Sequence, residues 1–181
     1  QRWVADDVPA FLGLLDGELS AAEVDLVITS GGVCAGAYEV VKDGLGSRGV
    51  DFVKVAMQPG MPQGAGRYGD VPVVCLPGNP VSALVSFEVF VRPALRAAAG
   101  HPLPHRPTVP ARLGEALTSV PGKRQLRRGR LDRSSGIVVP WGPPGSGFLG
   151  WFAGADCLID LPPEVVELAS GDPVTVWDLT R

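Results

Sequence analysis

The chain has 181 residues, 45% of them apolar and 19% charged, with a formal net charge of −3. It is long enough for one or two domains with a real core, and its acidic balance gives no support to a nucleic-acid footprint over the whole chain. No apolar run approaches a membrane span and no charged-then-apolar leader opens the sequence, so it reads as a cytoplasmic protein. Three cysteines, Cys34, Cys75 and Cys157, lie far apart with no CxxC pair, which argues against a zinc knuckle or a disulfide framework. The 24 glycines and 18 prolines gather in loops between apolar segments, a pattern of many tight connections rather than disorder.

Trp3, Val4 and Ala5 read as the tail of a strand, and Asp6 or Asp7 then caps a helix whose apolar face is Val8, Phe11, Leu12 and Leu15. A strand tail with no room for its strand implies that residue 1 lies inside a domain, so a piece of a longer architecture is expected. Residues 24–29 (VDLVIT) form a second buried strand. It runs into a glycine loop, Ser30-Gly31-Gly32-Val33-Cys34-Ala35-Gly36, and a helix from about Ala37 with Tyr38, Val41 and Leu45 on one side. Phe52, Val53, Val55 and Met57 make a third strand, and residues 59–66 (PGMPQGAG) are rich enough in breakers to be expected as a loop.

Val71, Val73, Val74, Cys75 and Leu76 form the apolar run typical of parallel, doubly covered sheets. Pro77, Gly78 and Asn79 turn it into a helix: Asn79 is a good N-cap and Pro80 suits the first helical position. Gly78 removes the side chain at the turn, so helix N–H groups can face an anion, with phosphate the obvious candidate. The plainer alternative is a well-capped turn. On this helix Leu84, Phe87, Val91, Ala94 and Leu95 share one face, expected against the sheet, and Ser82, Ser86, Arg92 and Arg96 share the other. Val85 and Val89 fall within the polar face, so part of it is expected to meet another domain or subunit. Pro93 is expected to kink the last turns.

Residues 101–107 (HPLPHRP) read as a stiff linker, which sets a domain boundary between 1–101 and 108–181. The two histidines there have no Cys, Asp or Glu beside them and read as solvated linker residues. After Val109 the helical period disappears. Short β-like runs at 125–131, 136–141, 157–161 and 174–177, separated by Gly/Pro turns, point to a small all-β barrel or sandwich.

Two strand ends each feed a glycine loop and a helix, and in open α/β sheets ligands bind outside the carboxyl ends of strands. Gly32 and Gly78 are therefore expected to line one cleft, with Glu39 at its rim. Neither loop is a GxxxxGK[ST] or GxGxxG motif, which disfavours simple nucleotide hydrolysis and NAD chemistry. Glu39 falls in the first turn after the Gly31-Gly32 loop. It either complements the helix dipole or, beside a phosphate, holds a bridging Mg²⁺. Lys123, Arg124, Arg127, Arg128, Arg130 and Arg133 concentrate positive charge, either as edge-strand protection or as an anion-binding wall; no interleaved aromatics suggest nucleic acid.

Thr29-Ser30-Gly31-Gly32-Val33 with Gly36 and Glu39, then Met57-Gln58-Pro59-Gly60, then Leu76-Pro77-Gly78-Asn79-Pro80-Val81-Ser82-Ala83, in this order and spacing, closely resemble the molybdopterin molybdenumtransferases, the family of bacterial MoeA and the gephyrin E domain. The resemblance covers essentially the whole chain. It implies an α/β fold class, a partial MogA-like open three-layer molybdopterin-binding domain over 1–101, followed by a C-terminal β-barrel domain over 108–181. The implied activity is insertion of molybdate into adenylylated molybdopterin with release of AMP and a divalent cation, Mg²⁺, as helper.

Carried over by position, Ser30, Gly31, Gly32, Gly36, Gly78, Asn79, Pro80 and Ser82 would bind the pterin and its phosphate. Glu39, where Asp is usual, would be the catalytic and metal-holding carboxylate, and Arg128, Ser146 and Pro62 would meet molybdate. Gln58 and Met61 stand where many relatives read lysine in Lys-Pro-Gly-Lys-Pro, and Cys34 where serine is usual. The resemblance further implies a homodimer, in a form that includes N-terminal domains absent here, and an isolated fragment that is inactive by itself. The rival readings are a molybdopterin adenylyltransferase-like enzyme, against which the attached barrel argues, and a non-catalytic scaffold of the gephyrin type, which the retained glycine loops and Glu39 disfavour.

Overall fold

The computed structural model describes residues 1–33, 39–145 and 147–180. The chain divides into two compact units, Gln1–Val55 with Gly60–Asn79, and Ala56–Pro59 with Pro80–Arg181.

In the first unit Asp7 caps helix α1 (Val8–Ala21): its carboxylate accepts from the Ala10 amide at 2.8 Å, one of the donors a helix start leaves without an intrahelical partner. Phe11 and Leu15 are buried, and Val8 and Leu12 pack against the same core. Residues 1–5 form no strand, and Trp3 is 89% exposed. The expected strand tail is thus corrected: no neighbouring ladder takes up its backbone groups.

The sheet of this unit has the order β1 (Val27–Ser30), β5 (Val71–Leu76), β4 (Pro62–Tyr68), β2 (Val50–Lys54). β1 and β5 run parallel with Ser30 opposite Leu76, while β5–β4 and β4–β2 are antiparallel. α1 and α2 (Val40–Leu45) cover one face, where Leu45, Val50, Val73 and Cys75 are all but inaccessible. Each fully buried aliphatic side chain there contributes roughly 1.5–3 kcal/mol. The opposite face is not covered as expected: Ile28 and Val53 are 43% and 55% exposed.

β4 corrects the expectation of a loop over 59–66. Glycine inside a strand marks a close approach of neighbours, and that is its role here. A Cβ on Gly64 would lie 2.6 Å from the Phe52 ring and 2.9 Å from Cβ of Cys75, and one on Gly66 only 2.1 Å from the carbonyl oxygen of Gly49. The residues that look like breakers are the ones that let the central strand fit.

The second unit is a closed five-stranded barrel. β10 (Cys157–Leu161), β12 (Pro173–Asp178), β6 (Thr108–Leu113), β9 (Ile137–Pro140) and β8 (Arg124–Asp132) follow one another around it, and β8 pairs back to β10. Only β6–β9 is parallel. Leu113, Leu131, Val138, Ile159, Leu161 and Val176 belong to its core, and closure leaves no edge within the ring. A short pair, β7 (Leu117–Thr118) with β11 (Glu167–Leu168), accompanies it. The short strand β3 (Met57–Gln58) joins β8 in parallel, with Gln58 opposite Gln125, and Gln125 Nε2 donates to Gln58 Oε1 at 3.3 Å. The third sequence strand therefore ends at Lys54, and Met57 serves a different sheet.

The long helix of this unit is α3 (Pro80–Ser86), a π-helical turn (Phe87–Val91) and α4 (Arg92–Ala98). Pro93 lacks the N–H that the Val89 carbonyl would accept, and the preceding turn widens accordingly. The buried side is Val81, Ser82, Val85, Ser86, Val91 and Pro93, whereas Leu84 and Leu95 are 40% and 43% exposed. This reverses the expected face at Ser82, Leu84, Ser86 and Leu95, while Val91 is buried as expected. The small serines allow close packing on their side, and the extra residue in the π turn shifts the phase of everything after it. The linker is tied down: the Arg106 guanidinium donates to both Glu88 oxygens at 2.8 and 2.9 Å and to the Leu179 carbonyl at 3.1 Å.

Candidate functional site

In the first unit the loops after β1 and β5 meet at the carboxyl ends of two adjacent parallel strands. The Gly31 amide donates to the Leu76 carbonyl at 3.1 Å and the Ser30 hydroxyl to the Pro77 carbonyl at 3.3 Å. Gly31 and Gly32 have φ of 99° and 66°, a conformation that disfavours any side chain. A Cβ on Gly32 would lie 2.9 Å from Cγ2 of Val41 and 3.0 Å from its backbone nitrogen, and one on Gly78 would lie 3.1 Å from Cα of Gly31. The result is a mouth walled by main chain, with Gly78 exposed and Gly31, Gly32 and Asn79 partly so. Such a wall lets an anion approach backbone dipoles closely. Gly36 and Cys34, and the start of the helix expected from Ala37, lie outside the described residues.

Glu39 stands immediately before α2 and makes no side-chain cap. Its carboxylate pairs with Lys42 at 2.7 Å, one turn on, and is only 14% exposed. The hydrogen bond and charge of Glu39 raise the Lys42 ammonium above the usual lysine value. No cluster of three His, Cys, Asp or Glu side chains that could hold a metal occurs among the described residues. The donor set thus fits a cation only as one carboxylate completed by phosphate oxygens and water, which is how Mg²⁺ is commonly bound. Pro62, at the start of β4, belongs to this unit.

Pro80 and Ser82 begin α3 in the second unit, with Ser82 buried. Four of the six basic residues, Arg124, Arg127, Arg128 and Arg130, lie on β8, which is paired on both sides, so edge protection does not explain them. Most charges of the basic run have local partners. Arg124 forks onto Asp160 at 2.7 and 2.5 Å and lies over the Trp177 ring. Arg130 stacks 3.8 Å from the Trp141 ring centroid and donates to the Gly154 carbonyl at 2.9 Å. Arg133 reaches Asp178 at 2.9 Å and Asp156 at 3.4 Å.

Arg128 differs. It is buried, and its guanidinium donates to the carbonyls of Phe148 and Pro143. No carboxylate pairs with it among the described residues, and burial pushes it below the ordinary arginine value. A buried cation satisfied only by neutral carbonyls retains a strong attraction for an anion. Ser146 lies outside the described residues. Sequence reasoning missed the Glu39–Lys42 pair, readable from its i,i+3 spacing, and the Arg130–Trp141 stack, which no local spacing announces.

Comparison with known proteins divides the chain later than the two compact units do, between residues 97 and 110. Residues 1–97 match the model of a probable molybdopterin binding domain, and residues 110–179 that of the MoeA C-terminal region, domain IV. Molybdopterin molybdenumtransferase 2 of Mycobacterium tuberculosis is 58% identical over 97% of this chain and 44% of its own length. Molybdopterin molybdenumtransferase 1 of the same species is 40% identical over 98% of this chain and 44% of its own. The chain thus spans less than half the length of these relatives. Among solved structures, a molybdopterin biosynthesis MoeA protein from Pyrococcus horikoshii superposes with a TM-score of 0.78 at 29% identity, covering 97% of this chain and 42% of that one. A second from the same organism, at TM-score 0.72 and 22% identity, speaks for the fold alone.

Proposed function

Because the chain belongs to the molybdopterin-binding domain family and continues into the MoeA C-terminal region, we propose that it is the part of a molybdopterin molybdenumtransferase that holds adenylylated molybdopterin for insertion of molybdate, with release of AMP. The observation that carries this reading is the backbone contact of Gly31 with Gly78 at the ends of β1 and β5. A side-chain-free mouth of this kind suits a phosphate held by main-chain groups.

In this reading Ser30, Gly31, Gly32, Gly36, Gly78, Asn79, Pro80 and Ser82 bind the pterin and its phosphate. Arg128, Ser146 and Pro62 receive molybdate, and the buried Arg128 guanidinium supplies positive charge where an oxyanion is taken up. Glu39 would offer one carboxylate to a divalent cation, Mg²⁺, leaving its remaining positions to phosphate oxygens and water. Bound there, the cation would supply charge neutralisation to the phosphate that departs with AMP. Lys42 holds the Glu39 carboxylate in place and competes with the cation for it. The reading includes work in the cytoplasm and a homodimer in the full-length form; it divides the chain into a pterin domain over 1–101 and a barrel domain over 108–181.

Calorimetric titration of adenylylated molybdopterin tests the assignment. Wild type is expected to bind, and Gly78→Val, which fills the mouth, is expected to abolish binding while the barrel stays folded. Equal affinity in the two proteins would overturn it.

A further inference from the structure

β9 and β10 lie on either side of β8, with Pro140 and Cys157 both opposite Gly129. The chain between them must therefore pass across β8. It leaves where the Trp141 amide donates to the Arg128 carbonyl at 2.9 Å and returns where the Asp156 amide donates to the Gly129 carbonyl at 3.1 Å. Leu131 and Ile159, with Gly129 between Cys157 and Val138, face the barrel core, so by strand alternation Arg128 and Arg130 share the outer face. Their guanidiniums hold this crossing segment at successive points: Arg128 at Pro143 and Phe148, Arg130 at Gly154 and the Trp141 ring.

The base of the segment is built for this closure. Trp141 and Trp151 pack edge to face, with centroids 5.1 Å apart and planes at 70°. Gly142 has φ of 77°, and a Cβ there would lie 2.5 Å from the Trp151 ring; a Cβ on Gly154 would lie 2.8 Å from Nε1 of Trp141. Within the segment, α5 (Leu149–Ala153) packs near α3, the helix that carries Ser82.

We propose that Arg130 is a positioning residue: by closing the base of this segment through Trp141 and Gly154, it keeps the carbonyls of Pro143 and Phe148 on the Arg128 guanidinium and so fixes how that guanidinium meets an oxyanion. The oxyanion role of Arg128 rests on the function proposed above; the closure by Arg130 does not. Arg130 is exposed and forms no ion pair among the described residues, so its loss leaves no buried charge behind.

The test uses the full chain with sodium molybdate as the probe. Arg130→Met keeps an unbranched stem and removes the cation; Arg130→Lys retains a charge over the ring and a donor for Gly154. Arg130→Met is expected to weaken molybdate binding about tenfold, as loss of a residue supporting a ligand group commonly does, and to diminish the exciton circular dichroism of the Trp141–Trp151 pair. Arg130→Lys is expected to restore most of both. Unchanged molybdate affinity in Arg130→Met, or an unchanged exciton signal, overturns the proposal. If wild type itself does not bind molybdate, the functional reading fails, and a double-mutant cycle decides the positioning claim. Thermal midpoints of Arg128→Met, Arg130→Met and the double variant should be non-additive, because both residues hold one segment; additive shifts overturn it.

Discussion

A Cβ on Gly78 would stand 3.1 Å from Cα of Gly31, so the loop after β1 and the loop after β5 touch main chain to main chain. Gly32 is still less replaceable, because its positive φ and the backbone of Val41 both oppose a side chain. Gly32→Ala is expected to cost about 1–3 kcal/mol from backbone strain and overpacking together. Gly78→Ala, which has no positive φ to strain and meets only the Gly31 backbone at 3.1 Å or beyond, is expected to cost less. Urea unfolding of the two variants checks the order, and a Gly32→Ala protein as stable as wild type would contradict the packing described here.

Glu39 separates two roles by experiment. If its carboxylate serves only the helix start and Lys42, Glu39→Gln should lose about 0.3–1 kcal/mol of stability and leave ligand binding unchanged. If it also holds a divalent cation against a phosphate, the same variant should keep its fold and lose the Mg²⁺ dependence of adenylylated-pterin binding. Lys42→Ala should then do the reverse, raising apparent Mg²⁺ affinity by freeing the carboxylate. Titrations with and without Mg²⁺ on both variants discriminate, and an unaltered Mg²⁺ dependence in Glu39→Gln would end the metal assignment.

Four of the barrel's five strands and the turns at Gly31–Gly32 and Gly78 were legible because their signals are local: β-branched runs, a good cap, and glycines where the chain must turn; β6 was not among the runs read. Nor was β4, since Gly64 and Gly66 look like breakers until Phe52 and Gly49 are seen against them. The buried face of the helix after Pro80 escaped for a related reason. Ideal 3.6-residue periodicity cannot anticipate a π turn at Phe87–Val91, and only tertiary contact reveals that Ser82 and Ser86 face inward. Within the basic run, composition showed the charge, but only the fold distinguishes Arg124, locked to Asp160, from Arg128, which among the described residues has carbonyl partners alone.

Asp178 gives the barrel a definite acid response. Burial alone would raise its pKa, but the Thr180 hydroxyl and amide and the Arg133 guanidinium outweigh it, and the carboxyl lies below its usual value. A depressed folded-state pKa stabilises above the unfolded value, about 3.9 for aspartate, and that contribution is lost as pH falls through the folded value. Urea midpoints between pH 2 and 6 should therefore drop in wild type below about pH 4 and drop less in Asp178→Asn, which should start lower at neutral pH. Parallel curves for the two proteins would show that Asp178 carries none of the response.

The central claim is tested most directly by AMP release from adenylylated molybdopterin, followed as a function of molybdate concentration in a polypeptide that carries this sequence together with the family's remaining domains. Release should rise with molybdate in wild type, and Arg128→Met should reduce it by roughly a hundredfold at limiting molybdate, the scale for losing one donor to a reacting oxyanion. AMP release that ignores molybdate, or an Arg128→Met protein with wild-type release, would contradict the account.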